Sequence, residues 1–229
     1  MKSSDRATML LVHGAWHGSW CWEQVGGLLA AEGREVRTVD LPSVAPVGEH
    51  RAGLHEDARA VRAAIDAIDG PVVVVAHSYG GEPVSEGAAG APNVAHIVYL
   101  AAFQLDEGES LLGAIGGVAP SWWDIDGDLF TAATPREIFF NDVPDDLASA
   151  AISRLRPQSY SVASEQLTAA AWRNVASTYV ICEKDNAIPV FAQEAMAQRA
   201  SHVERLPSGH SPFLSCPTEL ARLLTGLDA

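Results

Sequence analysis

A serine hydroxyl becomes a useful nucleophile only when a base lies within hydrogen-bond reach and a third group orients that base. Ser78 is the serine whose surroundings in the sequence suit this chemistry. It stands within Pro71 to Glu82, PVVVVAHSYGGE, where four consecutive valines run into Ala76-His77-Ser78-Tyr79-Gly80-Gly81. The small-x-Ser-x-Gly form is that of a nucleophile elbow, a sharp strand-to-helix turn that lifts the hydroxyl above a sheet edge. Small residues flank such a serine because the strained turn is pressed against neighbouring backbone. Ala76 takes the place of the commoner glycine and is small enough. The plain alternative is a buried strand followed by a Ser-Gly loop.

Eight histidines compete for the role of base. His210, in Pro207-Ser208-Gly209-His210-Ser211-Pro212-Phe213, follows the last strand on a turn able to project its ring inward. His13 and His17 follow the first strand, and His77 adjoins the serine but is expected to point away from it. His50, His55, His96 and His202 read as surface or strand-start residues. For the acid, Asp185 directly follows the strand STYVIC at 177–182, while Glu183 and Asp106 compete by position. A lone aspartate serves equally well as a turn or helix-cap residue.

The elements that must position these groups follow from periodicity. Thr8 to His13 and Pro71 to His77 are apolar runs that suit strands buried on both faces, and Glu35 to Leu41 alternates before Pro42. Helices are expected at Trp20 to Ala31 and, after a loop at 42–53, at Leu54 to Ile68, where Leu54, Ala58, Val61, Ile65 and Ile68 share a face. His96 to Phe103 is a further strand. From Gln104 to about Ala171 the alternation lapses among glycines and aromatics, which predicts an inserted cap, small and partly helical. Its aromatics either line a pocket or glue the insert onto the main domain. Alternation resumes with strands at Ser177 to Cys182 and His202 to Leu206, and helices at Val190 to Ala200 and Ser211 to Leu227, the latter interrupted at Pro217. The expectation is a single α/β domain over 1–229, a mostly parallel six-stranded sheet with helices on both faces. Ligands of such sheets bind outside the carboxyl ends of the strands.

Composition narrows the partners. Fifteen basic against 29 acidic residues leave a net charge of −14, which disfavours nucleic acid and anionic membranes and leaves a small organic substrate. Cys21, Cys182 and Cys216 are an odd set without metal-like spacing and read as buried thiols of a cytoplasmic protein. The apolar stretch of the N-terminus is too short for a signal-peptide core or a spanning helix. Asp124 to Asp128 has Leu129 and Pro135 where a calcium loop needs glycine and glutamate, so it reads as a solvated acidic turn. His13 and His17 straddle a glycine turn and do not form a zinc pair, and Gly113 to Gly117 lacks the lysine of a phosphate loop. No cofactor and no metal are expected, and a homodimer is left open.

In LVHGAWHGSWCW at 11–22, AHSYGG at 76–81, STYVICEKDNAIP at 177–189 and GHSPFLSCP at 209–217 the chain resembles the α/β-hydrolase superfamily. Within it the resemblance is to the branch of plant methyl-ester esterases, hydroxynitrile lyases and related bacterial esterases. These pieces bracket nearly the whole chain; the 104–171 segment matches only loosely. The resemblance implies an α/β-hydrolase fold, a catalytic triad of Ser78, Asp185 and His210 in the family's chain order, and oxyanion-hole amides on Ala15 and Tyr79. It sets Trp16 beside the pocket mouth, and composition adds Trp122, Trp123 and Phe139 as pocket residues. Lyases of the branch are expected to carry a threonine in the first loop and a lysine after the histidine; Gly14 and Ser211 stand there instead. Hydrolysis of carboxylic esters through an acyl-enzyme is the expected activity. A lyase of carbon-carbon bonds and a ligand-binding protein on the same fold are the alternatives.

Overall fold

The computed structural model describes residues 6–45 and 52–227. The chain runs through β1 (Thr8–Val12), α1 (Glu23–Ala31), β2 (Val36–Val39), α2 (Leu54–Asp66), β3 (Val72–His77), α3 (Gly81–Gly87) and β4 (Val94–Leu100). A segment with α4 (Leu111–Ala114), β5 (Trp123–Asp126), β6 (Leu129–Ala132), α5 (Pro135–Ile138), α6 (Asp145–Ile152) and β7 (Gln158–Ser159) then intervenes. The last stretch holds β8 (Ser177–Cys182), α7 (Val190–Ala197), β9 (His202–Leu206), α8 (Pro212–Ser215) and α9 (Pro217–Gly226).

Six strands form one sheet in the order β2-β1-β3-β4-β8-β9, with every neighbouring pair parallel. β1, β3 and β8 are buried along their whole length, as runs of β-branched and apolar residues covered on both faces must be. β9, at one edge, keeps its charged residues in solvent. Because the chain leaves β1 for one edge and returns to β3 beside it, strand order reverses between β1 and β3. The crevice at such a reversal is where ligands of open parallel sheets bind.

The intervening segment departs from expectation. It carries a three-stranded antiparallel sheet, β5-β6-β7, as well as short helices. Asp124 to Asp128, read from sequence as a turn, is the tip of the β5–β6 hairpin; its carboxylates are exposed and Gly127 takes φ 58°. A left-handed residue at the tip is what lets two such short strands turn back on each other. The helix expected from Trp20 opens as a tighter turn over Ser19–Trp22 before α1. Among the described residues, no helix is long and apolar enough to cross a membrane.

Candidate active site

β3 ends at His77, and Ser78 takes φ 53°, a left-handed conformation that costs a non-glycine residue roughly 1–3 kcal/mol. Tertiary contacts enforce it. A Cβ on Gly80 would lie 2.4 Å from the His13 carbonyl oxygen, and one on Gly81 would lie 2.4 Å from that of Phe103. Only glycine permits the elbow to press this closely on the backbone that follows β1 and β4. Phe103 N–H also donates to the Ser78 carbonyl at 3.0 Å.

Asp185 and His210 meet at the same sheet edge. The Asp185 carboxylate is buried, and its Oδ1 accepts the Ala187 and Ile188 N–H groups at 2.7 and 3.0 Å. Its Oδ2 accepts His210 Nδ1–H at 2.8 Å and Gln193 Nε2–H at 3.1 Å. A carboxylate acceptor on Nδ1 leaves His210 Nε2 with its lone pair, the tautomer a general base needs. His210 is itself buried. The two positional rivals of Asp185 are engaged elsewhere: Asp106 with Arg173 and Glu183 with Arg205.

The other histidines brace this arrangement. His77 Nε2–H donates to the His210 carbonyl at 2.8 Å, and the two rings lie 4.6 Å apart. Burial holds His77 well below the usual histidine range, and it is therefore neutral. His13 donates Nδ1–H to the Gly14 carbonyl at 2.8 Å and accepts Leu41 N–H at Nε2 at 3.0 Å. With Nε2 acting as an acceptor, His13 is neutral despite Asp40 at 3.8 Å. His17 donates Nδ1–H to the Ala15 carbonyl at 2.8 Å, and burial depresses it to about 3. Both rings thus hold the turn after β1. His96 lies near the start of β4 and is buried there, bonded to Thr178 Oγ1 at 2.9 Å, so the strand-start reading holds and the surface one does not. His55 pairs with Glu86, His202 is exposed, and His50 lies outside the described residues.

Ala15 and Tyr79 lie on the two loops that leave β1 and β3, the strands flanking the reversal in strand order. Among the described residues no hydrogen-bond acceptor meets the Ala15 N–H. Of the predicted pocket residues, Trp16, Trp122, Trp123 and Phe139 come together in one aromatic cluster. Trp16 stacks on Phe139 with centroids 5.4 Å apart and meets Trp122 and Trp123 edge-on at 5.8 and 6.3 Å. Phe139 continues the cluster to the His210 ring at 5.7 Å. Trp16, Trp123 and Phe139 are buried, whereas Trp122 is half-buried.

Among the described residues, no group of three or more His, Cys, Asp or Glu side chains is arranged to hold a metal ion. A cavity of about 590 Å³ lies between Leu105–Ala114 and α7 and is lined by none of Ser78, Asp185 and His210.

Comparison with known proteins agrees with this architecture. The sequence profile of the alpha/beta hydrolase family matches residues 9–223. The chain belongs to that family. An alpha/beta hydrolase of Aspergillus novofumigatus, nvfD, is 30% identical over 239 residues, covering 96% of this chain and 95% of its own. Methylesterase 7 of Arabidopsis thaliana is 28% identical over 258 residues, covering 98% and 97%. The crystal structure of a pyrethroid hydrolase from Sphingobium faniae shares the fold, with a TM-score of 0.83, 96% coverage of both chains and 23% identity. The relatives support the methylesterase branch of the family.

Residues that sequence reasoning passed over complete the candidate site. Gln193, fully buried on α7, accepts Cys182 N–H at 2.9 Å and donates to Asp185 Oδ2 and to the Ile188 carbonyl, at 3.1 and 2.7 Å. Asp142, in the insert, accepts Gly209 N–H at 2.6 Å and so ties down the loop that bears His210. Asp57 did carry a sequence signal, a carboxylate on the apolar face of α2 defined by Leu54, Ala58, Val61 and Ile65, and it is fully buried.

Proposed function

We propose that this chain is a serine hydrolase that cleaves carboxylic esters of small apolar or aromatic compounds through an acyl-enzyme. The observation that carries the reading is the buried 2.8 Å hydrogen bond from His210 to Asp185, at the sheet edge where Ser78 stands in a left-handed elbow. His210 Nε2 takes the proton of Ser78 as Oγ attacks the ester carbonyl, and returns it to the departing alkoxide. Asp185 holds the imidazole in the required tautomer and stabilises the imidazolium. The Ala15 and Tyr79 amides bind the oxyanion; losing one such donor typically costs roughly 10²–10³ in rate. Water activated by the same histidine then releases the acid and restores Ser78.

The esterase names among the relatives support hydrolysis as the reaction, and the segment 104–171 serves as a cap whose aromatics favour an apolar substrate. Gly14 argues against the lyase alternative. A Cβ there would lie 2.8 Å from Ser78 Cβ and 2.9 Å from His77 Nδ1, so the threonine expected of a lyase has no room. The three cysteines are free, with Cys21 and Cys182 buried, which suits a reducing, cytoplasmic setting.

The test is hydrolysis of p-nitrophenyl esters of graded acyl length by the wild type, Ser78→Ala and His210→Ala, with labelling by a fluorophosphonate. Turnover and labelling in the wild type that vanish in folded Ser78→Ala support the reading. A wild type that neither turns over nor labels overturns it in favour of a ligand-binding protein.

A further inference from the structure

Trp16, the residue after Ala15, is bonded to the insert at three points. Its N–H donates to Gln158 Oε1 at 3.3 Å, its carbonyl accepts Arg156 N–H at 2.9 Å, and its indole N–H donates to the Phe130 carbonyl at 2.9 Å. It takes φ 61°, a conformation that a non-glycine residue keeps only when its surroundings over-determine it. The conformation that aims the neighbouring Ala15 amide is thus set by residues about 115 to 140 positions further along the chain, roughly the separation of Trp16 from Phe130 and Gln158.

The other arm is tied to the same insert residue. Tyr79 O–H donates to Asp57 Oδ2 at 2.7 Å. Asp57 also accepts Ser43 N–H at 2.8 Å and Ser43 Oγ–H at 2.5 Å. Ser43 Oγ in turn accepts Gln158 Nε2–H at 2.9 Å. Tyr79, Asp57, Ser43, Gln158 and Trp16 form one continuous buried chain in which each donor meets one acceptor. β7 is fastened to this chain by backbone as well, through Ser159 N–H to the Ser43 carbonyl at 2.9 Å and Ala45 N–H to the Pro157 carbonyl at 2.7 Å.

An oxyanion hole works only if both amides reach one oxygen at about 2.7–3.1 Å, and a misplacement of about 1 Å costs roughly 10² in rate. We infer that Gln158, with Asp57 and Ser43, is a positioning group that sets the spacing of the Ala15 and Tyr79 amides, so that the hole is complete only when the insert strand β7 is docked. The inference rests on the esterase reading proposed above. It makes the insert part of the catalytic geometry, not only a cover over the pocket. Gln158 touches no reacting atom; it acts through Trp16 and through Ser43.

The test uses Gln158→Leu, which removes both ends of the amide at similar volume, and Tyr79→Phe, which removes one hydroxyl and keeps ring and backbone amide. In each, kcat for a p-nitrophenyl ester is expected to fall about 10- to 100-fold with KM within about threefold, the signature of an interaction made in the transition state. Affinity for a boronic acid, which forms a tetrahedral adduct on serine, should weaken in parallel, while that for the product carboxylic acid stays put. The double variant should lose less than the product of the two single effects, because both act on one hole. Folded variants that keep kcat and boronate affinity overturn the inference and leave the esterase reading intact. Should Gln158→Leu fail to fold, Tyr79→Phe decides the matter alone. A wild type that turns over no ester and binds no boronate overturns both.

Discussion

Two regions meet where Phe139 reaches the His210 ring, and they hold their residues by different means. Along the carboxyl edge of the main sheet, polar groups are fixed by directional bonds: Asp185 by two backbone amides and Gln193, and His210 by Asp185 and by His77 through its carbonyl. In the insert, Trp122, Trp123, Phe130 and Phe139 are fixed mostly by area and ring geometry, clustered around Trp16. Hydrogen bonds orient a proton within tenths of an ångström, whereas apolar packing sets volume and tolerates reshaping. On the proposed function the sheet edge would carry the chemistry and the insert the shape of the site, with Gln158 and Asp142 among the polar links between them.

The sharpest way to break this division is Asp185→Asn. The side-chain amide would place a donor against His210 Nδ1, driving the proton to Nε2 and removing the base. A drop in kcat of about 10⁴ is expected, with KM nearly unchanged. The Oδ1 bonds to Ala187 and Ile188 can persist, but the new side-chain NH2 would also face the Gln193 Nε2–H that Oδ2 accepts, so a stability loss of about 1–3 kcal/mol is expected beside the kinetic one. Steady-state kinetics beside thermal unfolding measures both, and a large loss of stability without loss of kcat would place Asp185 in the scaffold.

Phe139→Ala probes the other side. Phe139 is buried, stacked on Trp16 and edge-on to Trp122 and Phe140. Its truncation should cost about 3–5 kcal/mol of stability, seen as a fall in melting temperature of roughly 10 °C for a chain of this size. Because the His210–Asp185 bond lies on the sheet edge, kcat should stay within about tenfold while KM for aromatic esters rises. A loss of kcat approaching that of Asp185→Asn would show that ring packing, and not Asp185 alone, orients His210.

The same contrast explains what can be read from the sequence. β3, β8 and the elbow are legible because burial on both faces, β-branching and small residues around a serine are local signals. Asp185 and His210 stand out as candidates because they lie shortly after strands of the sheet, but position alone leaves Glu183 and Asp106 beside Asp185, and only the family resemblance chooses among the three. β7 is not, since two residues carry no period and Gln158 acquires its role only when it meets Ser43 and Trp16, more than a hundred positions away. The hairpin around Gly127 reads as a turn because its strands are four residues each and β5 is mostly exposed. Whether His96, near the start of β4, faces solvent or the interior is not legible from its neighbours in sequence, because its partner Thr178 lies on the adjacent strand.

The smallest effect lies where the regions join. Burial raises the Asp57 carboxyl from 3.8 to about 6, against the lowering influence of the Ser43 and Tyr79 hydrogen bonds and with a small repulsion from Glu56. The folded state therefore holds this proton more tightly than the unfolded chain. The stabilisation from that proton is fully present below about 3.8 and is lost as pH rises through about 6, an effect of the order of 3 kcal/mol at most. An asparagine side chain cannot titrate, so stability of Asp57→Asn relative to wild type should rise from pH 4 to pH 6.5 and then level off. Urea denaturation at several pH values reads this directly. A flat difference would mean that Asp57 ionises without cost, with Ser43 and Tyr79 compensating its burial in full; a rise would show that the link between sheet edge and insert keeps a carboxylate against an unfavourable environment for the sake of its three acceptor bonds.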